Sequence, residues 1–170
     1  MSPERVWQGR AWVFGDDVST DLLSPGAYAV APLAVRQRHV LESVNPAFAG
    51  SARAGDVVVA GRNFGCGSSR ETAPENLRAL GVGCVVAESF ARIFLRNAVA
   101  LGLPVLPCSG AATVARDGDL LEVDLGAATV KNMASGVTLT GSPLPPEMLE
   151  ILEAGGILAV LRGGKGGRTR

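Results

Sequence analysis

The residues with chemical capacity crowd into one stretch, Gly61-Arg62-Asn63-Phe64-Gly65-Cys66-Gly67-Ser68-Ser69-Arg70-Glu71. It brings two hydroxyls (Ser68 and Ser69), a guanidinium (Arg70) and the amides of a helix start to one spot. The glycines among them, Gly67 included, allow tight turns and let a ligand approach the backbone. Helix-start amides and a planar guanidinium fork both favour an anion, either a carboxylate or a phosphate. A serine hydroxyl is a poor base in water, but such surroundings stabilise the negative charge it develops. Other loop chemistries are excluded by composition. Ser68 stands where a phosphate-binding Walker loop needs lysine, and Gly65-Cys66-Gly67 lacks the third glycine of a dinucleotide fingerprint. No glycine follows two residues after either serine, as a nucleophile elbow requires.

An apolar run, Val57 to Ala60, leads into this stretch, and a helical pattern from Glu75 to Leu80 leads out of it. The order is strand, loop, helix. Two capping boxes compete for the helix start: Ser68 to Glu71, and Thr72 to Glu75. The first puts Pro74 in the second turn, where a hydrogen bond is lost. The second keeps Pro74 inside the first turn, where proline is tolerated. The later start is the preferred reading, and it frees Ser68, Ser69 and Arg70 to face a ligand.

The remaining elements are those needed to hold this loop. Arg10 to Phe14 reads as a strand and Gly15-Asp16-Asp17 as a turn. Pro32 to Leu41 reads as a helix on which Arg36 and Arg38 are solvated and His39 is at the surface. Pro46 to Ser51 adds a short turn. Gly83 to Ala87 is a valine-rich central strand. Ser89 can cap the helix carrying Phe90, Ile93 and Phe94, and Pro104 to Leu106 is a further strand. This alternation predicts an α/β core with a partly parallel sheet. The composition changes after Cys108. Leu120 to Leu125, Thr129 to Asn132 and Val137 to Thr140 read as antiparallel strands. Pro145 and Pro146 open a helix from Glu147 to Glu153, and Ile157 to Leu161 reads as a last strand. Residues 1–162 are expected to form a single domain, with 163–170 a flexible, glycine-rich basic tail.

A chain of 170 residues suits one domain, which buries roughly 70% of its extended surface. The formal net charge is zero, so no nucleic-acid footprint is expected. No apolar run is long enough for a bilayer and no signal pattern opens the chain, so the expectation is a cytoplasmic protein without a membrane partner. The three cysteines, Cys66, Cys84 and Cys108, are widely spaced. They read as reduced thiols and form no ligand motif, so no metal is expected on this chain. A cysteine enzyme built on Cys66 would need a base, and the single histidine, His39, is not placed to serve.

The full string from Gly61 to Glu71 resembles the small-subunit, or swivel-domain, signature of the aconitase superfamily, with most likeness to the 3-isopropylmalate dehydratase small subunits. Gly15 to Asp21 resembles that family's segment ending in Thr-Asp. Glu88 to Phe94, Arg96-Asn97 and Gly102-Leu103-Pro104 are similar to its continuation. Thr72 departs from the histidine that many members carry. The resemblance implies a swivelling-domain fold: an α/β chain with β/β/α layers, a mixed sheet and a β-rich C-terminal part. It implies a hydro-lyase subunit that is active only with a large iron–sulfur subunit, as a heterodimer or heterotetramer. A [4Fe–4S] cluster would sit in that partner and no cofactor on this chain. By resemblance Ser68 is the base that removes a carbon-bound proton, and Asp21 lies in the catalytic site. Arg70 holds a substrate carboxylate, with Ser69 and Gly67 beside it. The loop after Thr-Asp, with Tyr28, Ala29 and Val30, would select the substrate. It is apolar and lacks the arginine expected for a third carboxylate, so an alkyl group such as isopropyl suits it; each buried methylene contributes ~0.8 kcal/mol. Tyr28 also reads as a packing residue. Methylmalate, dimethylmalate and homoaconitate-type hydroxy acids remain alternatives, as does a non-catalytic module that binds carboxylate or phosphate.

Overall fold

Runs that are apolar at every position suit strands covered on both faces. Val57–Ala60 (β2) and Cys84–Ala87 (β3) are such runs, and all of their residues are fully buried. A computed structural model describes residues 5–163. The segment read as a flexible tail lies, from residue 164 onward, outside the described residues. With Val6–Val13 (β1) and Val105–Pro107 (β4), these strands form the parallel half of a mixed seven-stranded sheet. Leu120–Asp124 (β5), Thr129–Asn132 (β6) and Thr138–Thr140 (β7) form the antiparallel half. The strand order is β4-β3-β2-β1-β5-β6-β7.

β1 joins the halves by pairing with different strands along its length. Val6 to Arg10 face Asp124 to Leu120 of β5, and Ala11 to Val13 face Val57 to Val59 of β2. The sheet curls until its ends meet: just past β7, the Ser142 amide donates to the Pro107 carbonyl of β4 at 2.8 Å. In β5, Leu121 and Val123 are buried and their neighbours turn outward, as the alternation predicts.

Short helices Thr20–Leu23 (α1), Leu33–Arg36 (α2) and Phe48–Ser51 (α3) occupy the long connection from β1 to β2. Thr72–Ala79 (α4) and Arg92–Leu101 (α5) are the crossovers of the parallel half, and Ala111–Val114 (α6) packs on β2, β3 and β7. Pro146–Ala154 (α7) and Ile157–Gly163 (α8) lie against α5. Phe48 meets the edges of Trp12 and Phe14, and Phe64 meets those of Phe90 and Phe94. Each of these two aromatic clusters pins the chain that leaves a parallel strand.

Four expectations are corrected. Ile157 to Leu161 is helix α8, not a strand. A short apolar run does not distinguish helix from strand, and Gly155 and Gly156, both at positive φ, reverse the chain onto α5 instead of a sheet edge. The predicted helix from Pro32 to Leu41 is only α2 followed by a 3₁₀ turn, Gln37–His39. Leu41 sits at φ 58° because its amide is drawn into a bond with the Leu22 carbonyl at 2.8 Å. Ser89 does not cap α5, whose N-cap is Ala91; its hydroxyl accepts the Asn63 amide at 2.8 Å. The α4 start falls where the later reading put it, but Thr72 is not its cap. Glu71 occupies the N-cap without a side-chain bond, and the Thr72 hydroxyl pairs with Ser24 Oγ at 2.7 Å.

Candidate active site

In parallel sheets, ligand sites form at the carboxyl ends of the strands. Here the chain segments leaving β1, β2 and β3 converge there. The loop after β2 lies between the other two. The Asp17 amide donates to the Arg62 carbonyl, the Gly65 amide to Val18 and the Thr20 amide to Cys66, all at 2.7–2.8 Å. On the other side, the Phe64 amide donates to the Ser89 carbonyl at 3.0 Å and the Ala91 amide to the Phe64 carbonyl at 2.9 Å. Gly65 has φ +81°, and a Cβ there would run into Phe94. Only glycine satisfies both demands.

These bonds place the candidate residues. Gly67, Ser68 and Ser69 are exposed at the loop's crest. Ser68 is tied to α1: its amide donates to Thr20 Oγ1 at 3.1 Å, and its Oγ lies 3.1 Å from the same oxygen. The Asn97 side chain of α5 donates to the Ser69 carbonyl at 3.4 Å. Arg70 reaches to α1 through one nitrogen. Its Nη1 donates to Asp21 Oδ1 at 3.0 Å and to the Ser24 carbonyl at 2.8 Å. Asp21 Oδ1 also accepts the Gly26 amide at 3.3 Å. The Asp21 side chain is 70% exposed and that of Arg70 36%. Such a pair contributes at most about 1 kcal/mol, so it orients Arg70 without preventing an incoming carboxylate from engaging the rest of the fork.

Tyr28, Ala29 and Val30 lie one step away. The Tyr28 ring stacks on His39 at 3.5 Å between centroids, a packing role. Ala29 is exposed, and Val30 has no cover at all. From this loop, the hydrogen bond to Asp21 comes from Gly26, not from the tip. Among the clefts of the described surface, one lies by Trp12 and Asp56 and one by Asp119 and Asn132, while a third, between α4, α5 and α8, is bordered by Glu71 and Asn97 beside the loop. Ser68 is exposed and Arg70 half-buried, so both reach solvent.

Two structural features beside the candidate site escaped the sequence reading. Thr20, 2% exposed, is the residue that grips Ser68; it stands in the Thr-Asp motif, where no neighbouring residue marks it as the partner of Ser68. Arg36 was expected in solvent and is instead 9% exposed. Its Nε donates to the Ala31 carbonyl at 3.1 Å, and its Nη1 to Glu75 at 2.9 Å and Asn76 at 3.1 Å. The turn at Gln37–His39 rolls it inward, and buried Asn76 continues the network to the Leu23 carbonyl. No local pattern signals this, because its side-chain partners, Glu75 and Asn76, stand about forty residues away.

The thiols do not assemble. Burial pushes the Cys84 thiol up, and burial followed by the Glu88 charge raises that of Cys108. Raised thiols are poor ligands and poor nucleophiles. Among the described residues no three His, Cys, Asp or Glu side chains are grouped to hold a metal ion. Among the described residues, the buried Cys84 and Cys108 thiols do not suit an iron–sulfur cluster. No helix among the described residues is long and apolar enough to cross a membrane.

Comparisons with known proteins agree with the geometry. The aconitase C-terminal domain family matches residues 37–109, which include the whole glycine loop. The 3-isopropylmalate dehydratase small subunit 1 of Methanopyrus kandleri is 49% identical, over 92% of this chain and 93% of that protein. The methanogen homoaconitase small subunit of Methanothermobacter thermautotrophicus is 47% identical, over 91% and 90%. A crystal structure of 3-isopropylmalate dehydratase from Methanocaldococcus jannaschii superposes with a TM-score of 0.87 at 37% identity, covering 94% of this chain and 95% of that one. The chain therefore belongs to the 3-isopropylmalate dehydratase small-subunit family of aconitase-type hydro-lyases.

Proposed function

We propose that this chain is the small subunit of a cytoplasmic 3-isopropylmalate dehydratase, which interconverts 2- and 3-isopropylmalate in leucine synthesis. The observation that carries the reading is the shared anchoring of Ser68 and Arg70 on α1, at the carboxyl ends of the parallel strands. A large subunit bearing a [4Fe–4S] cluster closes over this surface. Such a cluster, held by the partner, would supply a Lewis acid for the departing hydroxyl. Arg70 holds a substrate carboxylate, with Ser69 and the Gly67 backbone beside it. Ser68 takes the proton from the neighbouring carbon. The C–H pair becomes the double bond as the hydroxyl takes a proton from an acid of the large subunit and leaves as water; adding hydroxyl and proton back to the exchanged carbons, with Ser68 returning its proton, gives the isomer. Asp21 keeps Arg70 pointed at the site.

The isopropyl group is favoured over a third carboxylate by an observation on Arg36. Its guanidinium is already engaged by Ala31, Glu75 and Asn76, so it is not available beside Tyr28, Ala29 and Val30. Methylmalate-type substrates share this argument and are the second reading. The test is anaerobic mixing with an iron–sulfur large subunit and 2-isopropylmalate, followed by alkene absorbance. Activity in the mixture only, abolished by Ser68→Ala, is the expected result. Turnover of a smaller alkylmalate alone would keep the mechanism and change the substrate. Silence with every hydroxy acid in an assembled complex would leave an anion-binding module.

A further inference from the structure

We propose that Thr20 is a positioning residue for Ser68 that donates to Ser68 Oγ when that oxygen has lost its proton. The inference rests on the reading of Ser68 as base, and it adds a group that stabilises the base.

The geometry gives Thr20 few alternatives. It begins α1 directly after the Ser19 cap, and its amide is engaged by the Cys66 carbonyl at 2.8 Å. At 2% exposure its hydroxyl is shielded from bulk water. Gly67, at φ +106°, lets the chain pass beside that hydroxyl; a Cβ there would stand 3.2 Å from Thr20 Oγ1. A hydroxyl carries one proton and two lone pairs. One lone pair accepts the Ser68 amide at 3.1 Å. Ser68 Oγ lies at 3.1 Å from the same oxygen, in reach of the proton.

While Ser68 is neutral, this bond can run in either direction. Once Ser68 is ionised it has nothing to donate, so Thr20 alone can supply the hydrogen. A hydrogen bond to an ionised oxygen is roughly twice as strong as one between neutral groups. The pair therefore favours the charged form of Ser68, and does so from a buried group that needs no reorientation of water. The Thr20 methyl fills space, but the hydroxyl is the part the argument requires.

The test compares Thr20→Val, which keeps the shape and removes the hydroxyl, with Thr20→Ser, which keeps the hydroxyl. Both are made in the assembled two-subunit enzyme, with co-purification and melting temperature as controls. For Thr20→Val the expected result is a fall in kcat of about 10² with KM changed less than about threefold. The base-dependent limb of the pH profile should move to higher pH, because a lost donor makes Ser68 harder to ionise. Thr20→Ser should restore both. If Thr20→Val fails to assemble, Thr20→Ala removes the same hydroxyl without adding a methyl and is read in its place. An unmoved pH profile with near-normal kcat overturns the proposal. So does failure of Thr20→Ser to rescue, which would assign the role to the methyl. If Ser68→Ala is itself active, the Ser68 reading falls; if only Ser68→Ala is inactive, the Thr20 inference alone falls.

Discussion

The two halves of the sheet have the same hydrophobic chemistry but different relations to function. In the parallel half, β1, β2 and β3 end side by side. Their outgoing segments are forced together, and all of the candidate polar groups lie on or beside them. In the antiparallel half, neighbouring strands point in opposite directions. Their connections separate to opposite ends, and no candidate residue sits there. β1 belongs to both halves and is thus the boundary between a framework and a working edge. Strand direction, rather than residue type, decides where polar side chains can converge.

Four measurements can break or sharpen this contrast. The largest effect is expected at the crest of the glycine loop. Ser68→Ala should reduce kcat of the two-subunit enzyme by ~10³ or more while leaving the melting temperature unchanged, because Ser68 is exposed. Comparable activity would remove the chemistry from the parallel half.

A matched glycine pair tests the halves directly. Gly65 and Gly118 have similar φ, +81° and +87°, but Gly65 faces Phe94 and Gly118 has nothing within 4 Å. Gly65→Ala should cost ~3 kcal/mol, for overpacking in addition to backbone strain. Gly118→Ala should cost only about 1 kcal/mol, for strain alone. Urea midpoints measure both, and equal losses would mean that the loop is not tightly packed.

Next comes the buried cation. Arg36→Met should destabilise by about 2 kcal/mol, because Asn76 and the Ala31 carbonyl lose their donor. Arg38→Met, at an exposed position, should stay within about 0.5 kcal/mol. Denaturant titration of the two variants decides whether the link between the Tyr28 loop and α4 matters.

The smallest effect belongs to the antiparallel half. The Arg116 backbone amide, then the Asn132 side chain, hold the Asp119 carboxyl below its ordinary value. A lowered folded pKa gives stability that is present above the unfolded pKa and lost as pH falls through the folded one. The melting-temperature difference between the wild type and Asp119→Asn should therefore be small at neutral pH and shrink on acidification. A difference that grows in acid would contradict the sign.

What the sequence alone determined was everything that depends on near neighbours. The valine runs of β2 and β3 were legible because full burial leaves no polar position. The alternation in β5 was legible because one face meets the core. The loop from Gly61 to Glu71 was legible because its glycines, serines and arginine are contiguous. Tertiary structure decided the rest. Ile157 to Leu161 became a helix because the chain beyond α7 was turned onto α5, and no local period encodes that docking. Arg36 became buried, and Ser68 acquired Thr20 as its partner, through bonds spanning about forty to fifty residues. An isolated segment cannot display such bonds, since their partners are brought together only in the folded chain.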